Sequence, residues 1–382
     1  MHFKTDIAII GTGFAGLGMA IRLKQEGIHD FVIFEKGDDV GGTWRDNFYP
    51  GAACDVQSHL YSVSFAPNPN WSRQFAPQAE ILAYLQSCAD KFDLRSHIQF
   101  DSALIEGRYD EAAALWRAKT SRGDTIEART VVTGCGAFNK PVLPDVKGIQ
   151  NFQGELLHTA RWQKGASVRG KRVGVIGTGA SAIQVVPAIA SDTEKLTLFQ
   201  RTPPWIMPKP NPEYTPAEKK RFHRLPLTQR AERARIYAKN ELFATGFVIN
   251  PKLMKQGEVF ARSYLKAKVK DPVLREKLTP KYTIGCKRVL LSSDYLTTLT
   301  RDNVEVVTDG IAEVRAHSIV TKDGREHPID TLVCATGFQV SENAAPFPIY
   351  GRNGIELNEA WREGGAEAYK GTTVKGYPNA FI

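Results

Sequence analysis

Residues 6–35 read DIAIIGTGFAGLGMAIRLKQEGIHDFVIFE, two short apolar runs separated by a glycine-rich turn and a helical pattern. The first run, Asp6 to Ile10, is apolar after its first residue and ends in glycine, which predicts a buried parallel strand. Ala15 to Lys24 carries an apolar stripe at helical spacing, and Phe31 to Phe34 predicts a second strand. We therefore expect a strand–helix–strand unit at the start of the chain.

The turn of this unit has the glycine spacing of a dinucleotide-binding site. Gly11 permits the tight turn, Gly13 lets backbone N–H groups approach a pyrophosphate, and Gly16 lets the helix pack closely on the sheet. Glu35 ends the second strand at about the 20-residue distance at which a carboxylate accepts hydrogen bonds from ribose hydroxyls. The alternative is a glycine turn without a ligand. The predicted nucleotide contacts in this unit are Gly11, Gly13, Phe14, Ala15, Gly16, Glu35 and Lys36.

The same pattern recurs in the middle of the chain, with strands at 172–176 and 195–199 and a helix at 182–190. Its turn, residues 177–182, has the form GxGxxA. Arg201 follows the second strand, where the first unit has Glu35, and a guanidinium can grip a 2′-phosphate that a carboxylate would repel. The second nucleotide is thus more consistent with NADPH than with NADH, unless Arg201 is a solvated loop residue. Its predicted contacts are Thr178, Gly179, Ala180, Ser181, Ala182, Ile183, Gln184, Arg201 and Thr202.

The chain is predicted to be α/β, with two Rossmann-like dinucleotide-binding domains and a helical insertion. Prolines after residue 202 interrupt the second unit, and 216–281 reads mostly as helix. Strands at 304–307 and 331–334 indicate a return of the chain to an earlier domain. The predicted domains are 1–140 with 331–382, 148–205 with 282–330, and the insertion at 206–281.

The chain has 382 residues and a formal net charge of +9, with many cations between Lys209 and Arg288. Nucleic-acid binding, a membrane surface, anionic cofactors or mere solubility could each explain this charge. Acidic residues are interleaved with the cations, which favours solvated helix faces, and a phosphate-rich ligand needs only a few of them. We expect no nucleic-acid or membrane partner, and the sequence leaves the oligomeric state open.

The five cysteines form no CxxC pair, and their spacing suits neither a zinc site nor a disulfide framework. This pattern is typical of a reducing cytoplasm, and it argues against a dithiol reductase. No apolar run approaches the ~18 residues of a membrane-spanning helix, and the N-terminus does not read as a signal peptide. The sequence therefore predicts a soluble cytoplasmic protein.

Three further motifs point to one family. Residues 41–55 contain Gly42, Trp44, Tyr49, Pro50, Gly51 and Asp55. They fill every fixed place of the long fingerprint of type I Baeyer–Villiger monooxygenases, class B flavin-dependent enzymes, which this segment resembles. A second fingerprint is matched at Phe152, Gly154, His158 and Trp162, with Gln163 where that family has Pro or Asp. Lys287-Arg288 resembles the Lys-Arg pair that the family places over flavin and nicotinamide.

The resemblance implies an FAD- and NADPH-dependent monooxygenase that converts a ketone and dioxygen to an ester or lactone through a flavin peroxide. It implies that Arg288 is catalytic, that Asp55 orients it, and that His158 is structural. Lys287 would join Arg201 and Thr202 at the 2′-phosphate. The implied flavin-side contacts are Gly42, Thr43, Trp44, Arg45, Asp46, Asp55, Tyr61 and Leu104, the last on a strand from 98 to 104.

Two other functions stay open at this point. One is a related flavin enzyme that oxygenates nitrogen or sulfur, and the other is a non-catalytic flavoprotein or NADPH oxidase. Family members usually continue beyond the position of Ile382 with a last strand and helix, so this chain is expected to lack that C-terminal segment. Substrate-pocket residues are expected near Trp205, Phe243 and Phe247.

Overall fold

The computed structural model describes residues 1–248, 254–340 and 346–382. Its strands are β1 (His2–Ile10), β2 (Phe31–Phe34), β3 (Ile98–Gln99), β4 (Leu104–Asp110), β5 (Leu115–Thr120), β6 (Thr125–Thr133), β7 (Glu155–His158), β8 (Arg172–Ile176), β9 (Lys195–Phe199), β10 (Ile206–Met207), β11 (Leu290–Leu291), β12 (Val304–Val307), β13 (Ile311–Val314), β14 (Ser318–Thr321), β15 (Glu326–Pro328), β16 (Thr331–Cys334), β17 (Ile349–Tyr350) and β18 (Ala380–Phe381). Its helices are α1 (Phe14–Gln25), α2 (Thr43–Asp46), α3 (Gln78–Lys91), α4 (Ala182–Ile189), α5 (Pro216–Arg224), α6 (Pro226–Val248), α7 (Met254–Lys268), α8 (Pro272–Lys277), α9 (Tyr295–Thr298) and α10 (Leu357–Gly364).

The first compact unit consists of Met1–Asp46, Ala79–Pro141 and Phe338–Ile382. Its sheet has the strand order β17-β4-β5-β6-β1-β2-β3, and β18 also pairs with β6. The central strand β1 is parallel to both β2 and β6, while β4, β5 and β6 form an antiparallel meander. Trp116 on β5 is buried and donates its indole N–H to the Pro378 carbonyl (2.8 Å), which fixes the last residues of the chain to this sheet.

The second compact unit consists of Asn47–Gln78 and Val142–Gly337. Its main sheet has the order β12-β9-β8-β16-β7, and every neighbouring pair is parallel. A three-stranded antiparallel sheet, β13-β14-β15, and a parallel pair, β10-β11, complete the strands described for this unit. The apolar side chains of α4, including Ile183, Val186 and Ile189, pack in the core of this sheet.

The compact units differ from the predicted domains at three places. β16 pairs with β8 in register Thr331↔Val173, so 331–337 belong to the second unit and not to the first domain with 1–140. The loop Asn47–Gln78 also belongs to the second unit. The predicted insertion 206–281 does not form a unit of its own, because Leu265, Val269 and Leu278 pack in the core of the second unit. These errors have one physical cause: a strand, a loop or a helix does not carry in its own residues the identity of the sheet on which it packs.

The local elements agree closely with the sequence pattern. The strands predicted at 31–34, 172–176, 195–199, 304–307 and 331–334 are confirmed as β2, β8, β9, β12 and β16. The strand predicted from 98 to 104 is wrong, because β3 ends at Gln99 and Leu104 begins a separate strand, β4. Helices α5 to α8 lie within the predicted insertion, and α5 begins with a capping box between Thr215 and Glu218. None of the helices in the described ranges is long and apolar enough to cross a membrane.

Candidate cofactor sites and active site

The first glycine turn is built for close approach. Gly11 has φ +96°, and a Cβ there would lie 2.9 Å from the Gly134 carbonyl oxygen. A Cβ on Gly16 would overlap the Gly11 carbonyl, so α1 can lie against the turn only with glycine at this position. The roles predicted for these two glycines in the turn and in helix packing agree with this geometry.

The start of α1 fits an anionic group. The N-cap residue is Gly13, which has no side chain to satisfy the first helical N–H groups, and the first turn of the helix carries no acidic residue. Gly42 has φ +51°, and a Cβ there would lie 3.0 Å from the Gly13 Cα. Two glycines therefore leave bare backbone around the positive end of a 12-residue helix, which suits the pyrophosphate of a cofactor.

Glu35 directly follows β2 and is only 2% exposed. Its Oε2 accepts from the N–H (2.9 Å) and the hydroxyl (2.6 Å) of Thr12. Its Oε1 accepts from the Gly37 N–H (2.8 Å) and from Nη1 of Arg45 (2.9 Å). These four bonds occupy the acceptor sites of the carboxylate, so a ribose hydroxyl would have to replace one of them in order to bind Glu35. Thr12 occupies a variable position of the glycine motif, so the motif does not predict that Thr12 binds Glu35.

Arg45 holds together the segment that follows β2. Its guanidinium pairs with Glu35 (2.9 Å) and Asp46 (2.8 Å), and these two carboxylates oppose the effect of burial so that the pKa of Arg45 rises. Lys36 also pairs with Asp46 (3.2 Å). A Cβ on Gly37 would overlap the Arg45 guanidinium, so a larger residue there would displace the end of that side chain. Arg45 and Asp46, both predicted as cofactor contacts, thus brace the Glu35 carboxylate.

The remaining predicted flavin-side residues fall into two groups. Phe14, Thr43, Trp44 and Leu104 belong to the first unit, where Leu104 is buried in the apolar core of the sheet. Phe14 begins α1 and contacts the Tyr84 ring, with centroids 6.1 Å apart. Asp55 and Tyr61 belong to the second unit, and the Tyr61 N–H donates to the Gln57 carbonyl (2.9 Å).

The second glycine turn repeats the first in part. Gly177 has φ +119°, and a Cβ there would overlap the Ala335 carbonyl, whereas a Cβ on Gly179 would meet no atom of the described residues within 4 Å. The Thr178 hydroxyl donates to the Thr202 carbonyl (2.9 Å), joining the turn to the segment after β9. Open backbone at Gly179 before α4 fits the phosphates of a second nucleotide. Ala180 and Ser181 complete this turn.

Three residues of α4 face away from the turn. The side chains of Ala182 and Ile183 are buried in the core, so only their backbone can meet a ligand. The Gln184 amide accepts from the Tyr49 hydroxyl (2.8 Å) and donates to the Ala53 carbonyl (3.0 Å). Gln184 therefore holds the long fingerprint loop, a role that the GxGxxA pattern does not reveal.

Arg201 and Lys287 are both exposed cations of the second unit. Arg201 lies two residues after the end of β9, and the carbonyl of the neighbouring Thr202 accepts the bond from Thr178. The Lys287 ammonium lies 5.1 Å from the centre of the Tyr282 ring. Because these guanidinium and ammonium groups are exposed, a 2′-phosphate can reach them and form charge-assisted hydrogen bonds with them.

Arg288 and Asp55 form an ion pair across 233 positions of the sequence. Nη2 of Arg288 donates to Oδ2 of Asp55 at 2.5 Å. The Arg288 side chain is 62% exposed and that of Asp55 is 28% exposed, so the guanidinium remains accessible. The predicted pairing of these two residues is present in the structure.

His158 joins the segments at which the chain enters and leaves the second unit. Its Nδ1 accepts from the Ala160 N–H (3.0 Å), so the proton lies on Nε2, which donates to the Val142 carbonyl (3.3 Å). The Thr336 hydroxyl donates to the same carbonyl. Burial lowers the pKa of His158, which keeps the ring neutral. This arrangement suits the structural role that we expect for His158.

The residues expected near a substrate pocket differ in their exposure to solvent. Trp205 is 2% exposed, and its indole N–H donates to the Tyr282 carbonyl (3.0 Å), so it belongs to a small core with Met254 and Ile284. Phe243 is 56% exposed on α6. The side chain of Phe247 lies outside the described part of the chain. Trp205 is therefore corrected to a core residue.

The pyridine nucleotide-disulphide oxidoreductase family matches residues 8–244. A protein from Pseudomonas aeruginosa, named Baeyer-Villiger monooxygenase, is 47% identical over 376 residues, which are 98% of this chain and 71% of that protein. The chain belongs to the Baeyer–Villiger monooxygenase family. The five cysteines of this monooxygenase are free in the structure.

Two solved structures are similar to this monooxygenase over nearly its whole length. Cyclohexanone monooxygenase from Rhodococcus sp. Phi1, bound to NADP+, has a TM-score of 0.89 and 33% identity, and covers 100% of this chain and 79% of that one. OTEMO in complex with FAD and NADP has a TM-score of 0.88 and 32% identity, and covers 99% and 80%. The predicted family, enzyme class and fold class are confirmed, and the predicted cofactor pair is the pair in the OTEMO complex.

Proposed function

We propose that this monooxygenase oxidises a ketone to an ester or lactone, and that Arg288, held by Asp55, is its catalytic residue. The observation that carries the proposal is the ion pair between these side chains, at 2.5 Å. It links the last fixed residue of the long fingerprint to the second cation of the Lys-Arg pair. These are the two places at which the sequence departs most from a generic dinucleotide-binding protein.

The two cofactors would be held by different units. FAD would lie at the turn Gly11–Gly16 and near Glu35, and NADPH at the turn 177–181, with its 2′-phosphate on Arg201, Thr202 and Lys287. The bare glycine backbone at Gly13 and Gly179 supports both assignments. When bound, the cofactors supply hydride transfer and the activation of dioxygen.

Arg288 suits a reaction in which negative charge develops on the substrate carbonyl oxygen. A guanidinium stays protonated while it stabilises such charge, whereas a histidine or lysine can lose its proton. Asp55 accepts one N–H of the guanidinium and limits its rotation, leaving other N–H groups available. Because the Arg288 side chain is 62% exposed, a substrate can reach these donors.

The test is Arg288→Ala in the FAD-loaded protein. We expect ester formation to fall by about 10²–10³-fold, the usual effect of losing a donor to developing charge. The rate at which NADPH reduces the flavin, monitored as the loss of the flavin's visible absorbance, should change little. Arg325→Ala is the matched control, because Arg325 is 64% exposed and pairs with Asp323 and Asp309. Equal loss of both half-reactions in Arg288→Ala would contradict the role given to Arg288.

The substrate class requires a second measurement on the unmodified protein. Cyclic, linear and aromatic ketones and one sulfide should be incubated with NADPH, and the products identified by mass spectrometry. We expect ketone-stimulated NADPH consumption that yields an ester or lactone. Sulfoxide as the only oxygenated product would replace the proposal with sulfur oxygenation, and hydrogen peroxide alone would replace it with an NADPH oxidase.

A further inference from the structure

The short segment around β10 connects the two chain regions that carry Arg288 and Asp55. β10 pairs in parallel with β11, which begins two residues after Arg288. Lys209 lies two residues after β10, and Ser293 lies two residues after β11. The Ser293 hydroxyl donates to the Lys209 carbonyl (2.9 Å) and accepts from the Lys209 N–H (3.1 Å). The backbone of Lys209 is thereby fixed to the segment that follows Arg288.

The side chain of Lys209 extends to the other region. Its Nζ donates to the Cys54 carbonyl (2.8 Å), and the peptide bond of that carbonyl leads directly to Asp55. The ammonium also lies 5.0 Å from the centre of the Phe75 ring. Asn211, two residues after Lys209, also binds the Phe75 backbone: its side-chain amide accepts from the Phe75 N–H (2.8 Å) and donates to the Phe75 carbonyl (3.2 Å). One lysine thus joins the Asp55 loop to the Arg288 segment.

The surroundings of Lys209 act on its charge in both directions. Burial lowers the pKa of Lys209, and the negative charges of the Asp55 and Asp294 carboxylates partly offset that effect. Lys209 thus interacts electrostatically with the Asp55 carboxylate, while Arg288 forms an ion pair with that carboxylate. A methionine of similar length would keep the packing but lose the bond and the charge.

We propose that Lys209 is a positioning residue for oxygenation, which fixes the Cys54–Asp55 peptide so that the Asp55 carboxylate holds Arg288. This inference rests on the proposed function, because it acts through the Arg288–Asp55 pair. Lys209 has no direct contact with the reacting atoms in this assignment. Its removal should therefore weaken the oxygenation step and leave cofactor binding and flavin reduction intact.

The experiment compares Lys209→Met with Lys209→Arg in the FAD-loaded protein. The first variant removes the charge-assisted bond, and the second restores a cation that can donate to the Cys54 carbonyl. Lys277→Met is the matched control, because the Lys277 ammonium donates to the Val306 carbonyl (3.1 Å) in the same unit. The measurements are ester formed per NADPH consumed, the rate of flavin reduction, FAD content, and amide hydrogen exchange of peptides covering residues 52–57 and 286–293.

We expect Lys209→Met to form roughly tenfold less ester per NADPH, as the loss of one hydrogen bond to a charged group predicts. Exchange at 52–57 should accelerate, FAD content and flavin reduction should match Lys277→Met, and Lys209→Arg should restore most of the ester yield. Unchanged ester yield and exchange in Lys209→Met would overturn the inference. Loss of FAD in Lys209→Met, without rescue by Lys209→Arg, would also overturn it and would make Lys209 a general structural residue.

Asp55→Asn separates failure of this inference from failure of the proposed function. If Asp55→Asn keeps its ester yield, the catalytic role that the proposed function gives to the Arg288–Asp55 pair fails, and the role of Lys209 fails with it. If Asp55→Asn loses ester formation while Lys209→Met keeps it, the proposed function stands and only the role of Lys209 is overturned.

Discussion

Glu35 and Arg201 both follow the second strand of a strand–helix–strand unit, Glu35 directly and Arg201 after Gln200, yet Glu35 is buried and Arg201 is exposed. Glu35 is buried and its carboxylate already accepts four hydrogen bonds, one of them from Arg45. Arg201 is exposed. A buried carboxylate needs partners that offset its desolvation, whereas an exposed guanidinium keeps its donors hydrated until an anion displaces the water. The first residue therefore orders its own unit, and the second is suited to recognise a charged ligand.

Arg201→Ala tests that recognition. We expect the KM for NADPH to rise roughly 10–150-fold, because one charge-assisted contact contributes about 1.5–3 kcal/mol, while the KM for NADH changes little. Steady-state kinetics with both nucleotides measure the ratio. Arg169→Ala is the control, since Arg169 is also an exposed arginine of the second unit. An unchanged preference for NADPH would remove Arg201 from the nucleotide site.

At the level of elements, the long fingerprint loop packs on α4. Gly51 has φ +81°, and a Cβ there would lie 2.5 Å from the Gln184 carbonyl oxygen and 3.0 Å from the Ala188 Cβ. Tyr49, which belongs to the same loop as Gly51, donates its hydroxyl to the side-chain amide oxygen of Gln184 on α4. The Pro-Gly part of the fingerprint thus serves contact between a loop and a helix, and it holds in place the chain that leads to Asp55.

Gly51→Ala should destabilise the second unit by about 2–4 kcal/mol, because it adds a steric overlap to an unfavourable backbone conformation. Gly165→Ala isolates the conformational part, since Gly165 has φ +84° and a Cβ there meets no described atom within 4 Å. That control should lose only about 1 kcal/mol. Urea unfolding followed by circular dichroism measures both, and equal losses in the two variants would show that the contact with α4 contributes nothing.

At the scale of the whole molecule, one buried histidine links the stability of the second unit to pH. His59 is 2% exposed, accepts from the Gln229 amide at Nδ1 (3.1 Å), and lies between the rings of Tyr214 and Phe222. Burial lowers the pKa of His59 from 6.5 to about 4, against a smaller opposing effect of the Glu232 charge. Between these two values the unfolded chain binds a proton that the folded chain excludes, so stability falls as the pH falls.

Removing this titration should reduce the acid sensitivity. From pH 7 to pH 4.5 we expect the native protein to lose about 2–3 kcal/mol more unfolding free energy than His59→Asn, which keeps an acceptor for Gln229 but does not titrate. Urea midpoints at the two pH values give the difference. His29→Asn, at an exposed histidine, should behave like the native protein. The same acid sensitivity in His59→Asn would assign the effect to other groups.

The sequence alone predicted most local elements and the family. Apolar runs and glycine turns are local signals, so β2, β8, β9 and β12 were predicted at their observed ends. Local signals did not predict contacts between residues that are far apart in the sequence. Nothing in Thr331–Cys334 indicates pairing with β8, and Trp205 reads equally well as a pocket or a core residue.

The two glycine turns, the acid or base after each second strand, and the fingerprint of the family can all be recognised before the fold is known. These depend on backbone conformations and short spacings that few residue types can satisfy. The fold was needed to show that Arg45 braces Glu35, that Gln184 holds the fingerprint loop, and that Lys209 joins Cys54 to Ser293. Such contacts are selected by shape, burial and charge among residues far apart in the chain, and those quantities exist only once the chain has folded.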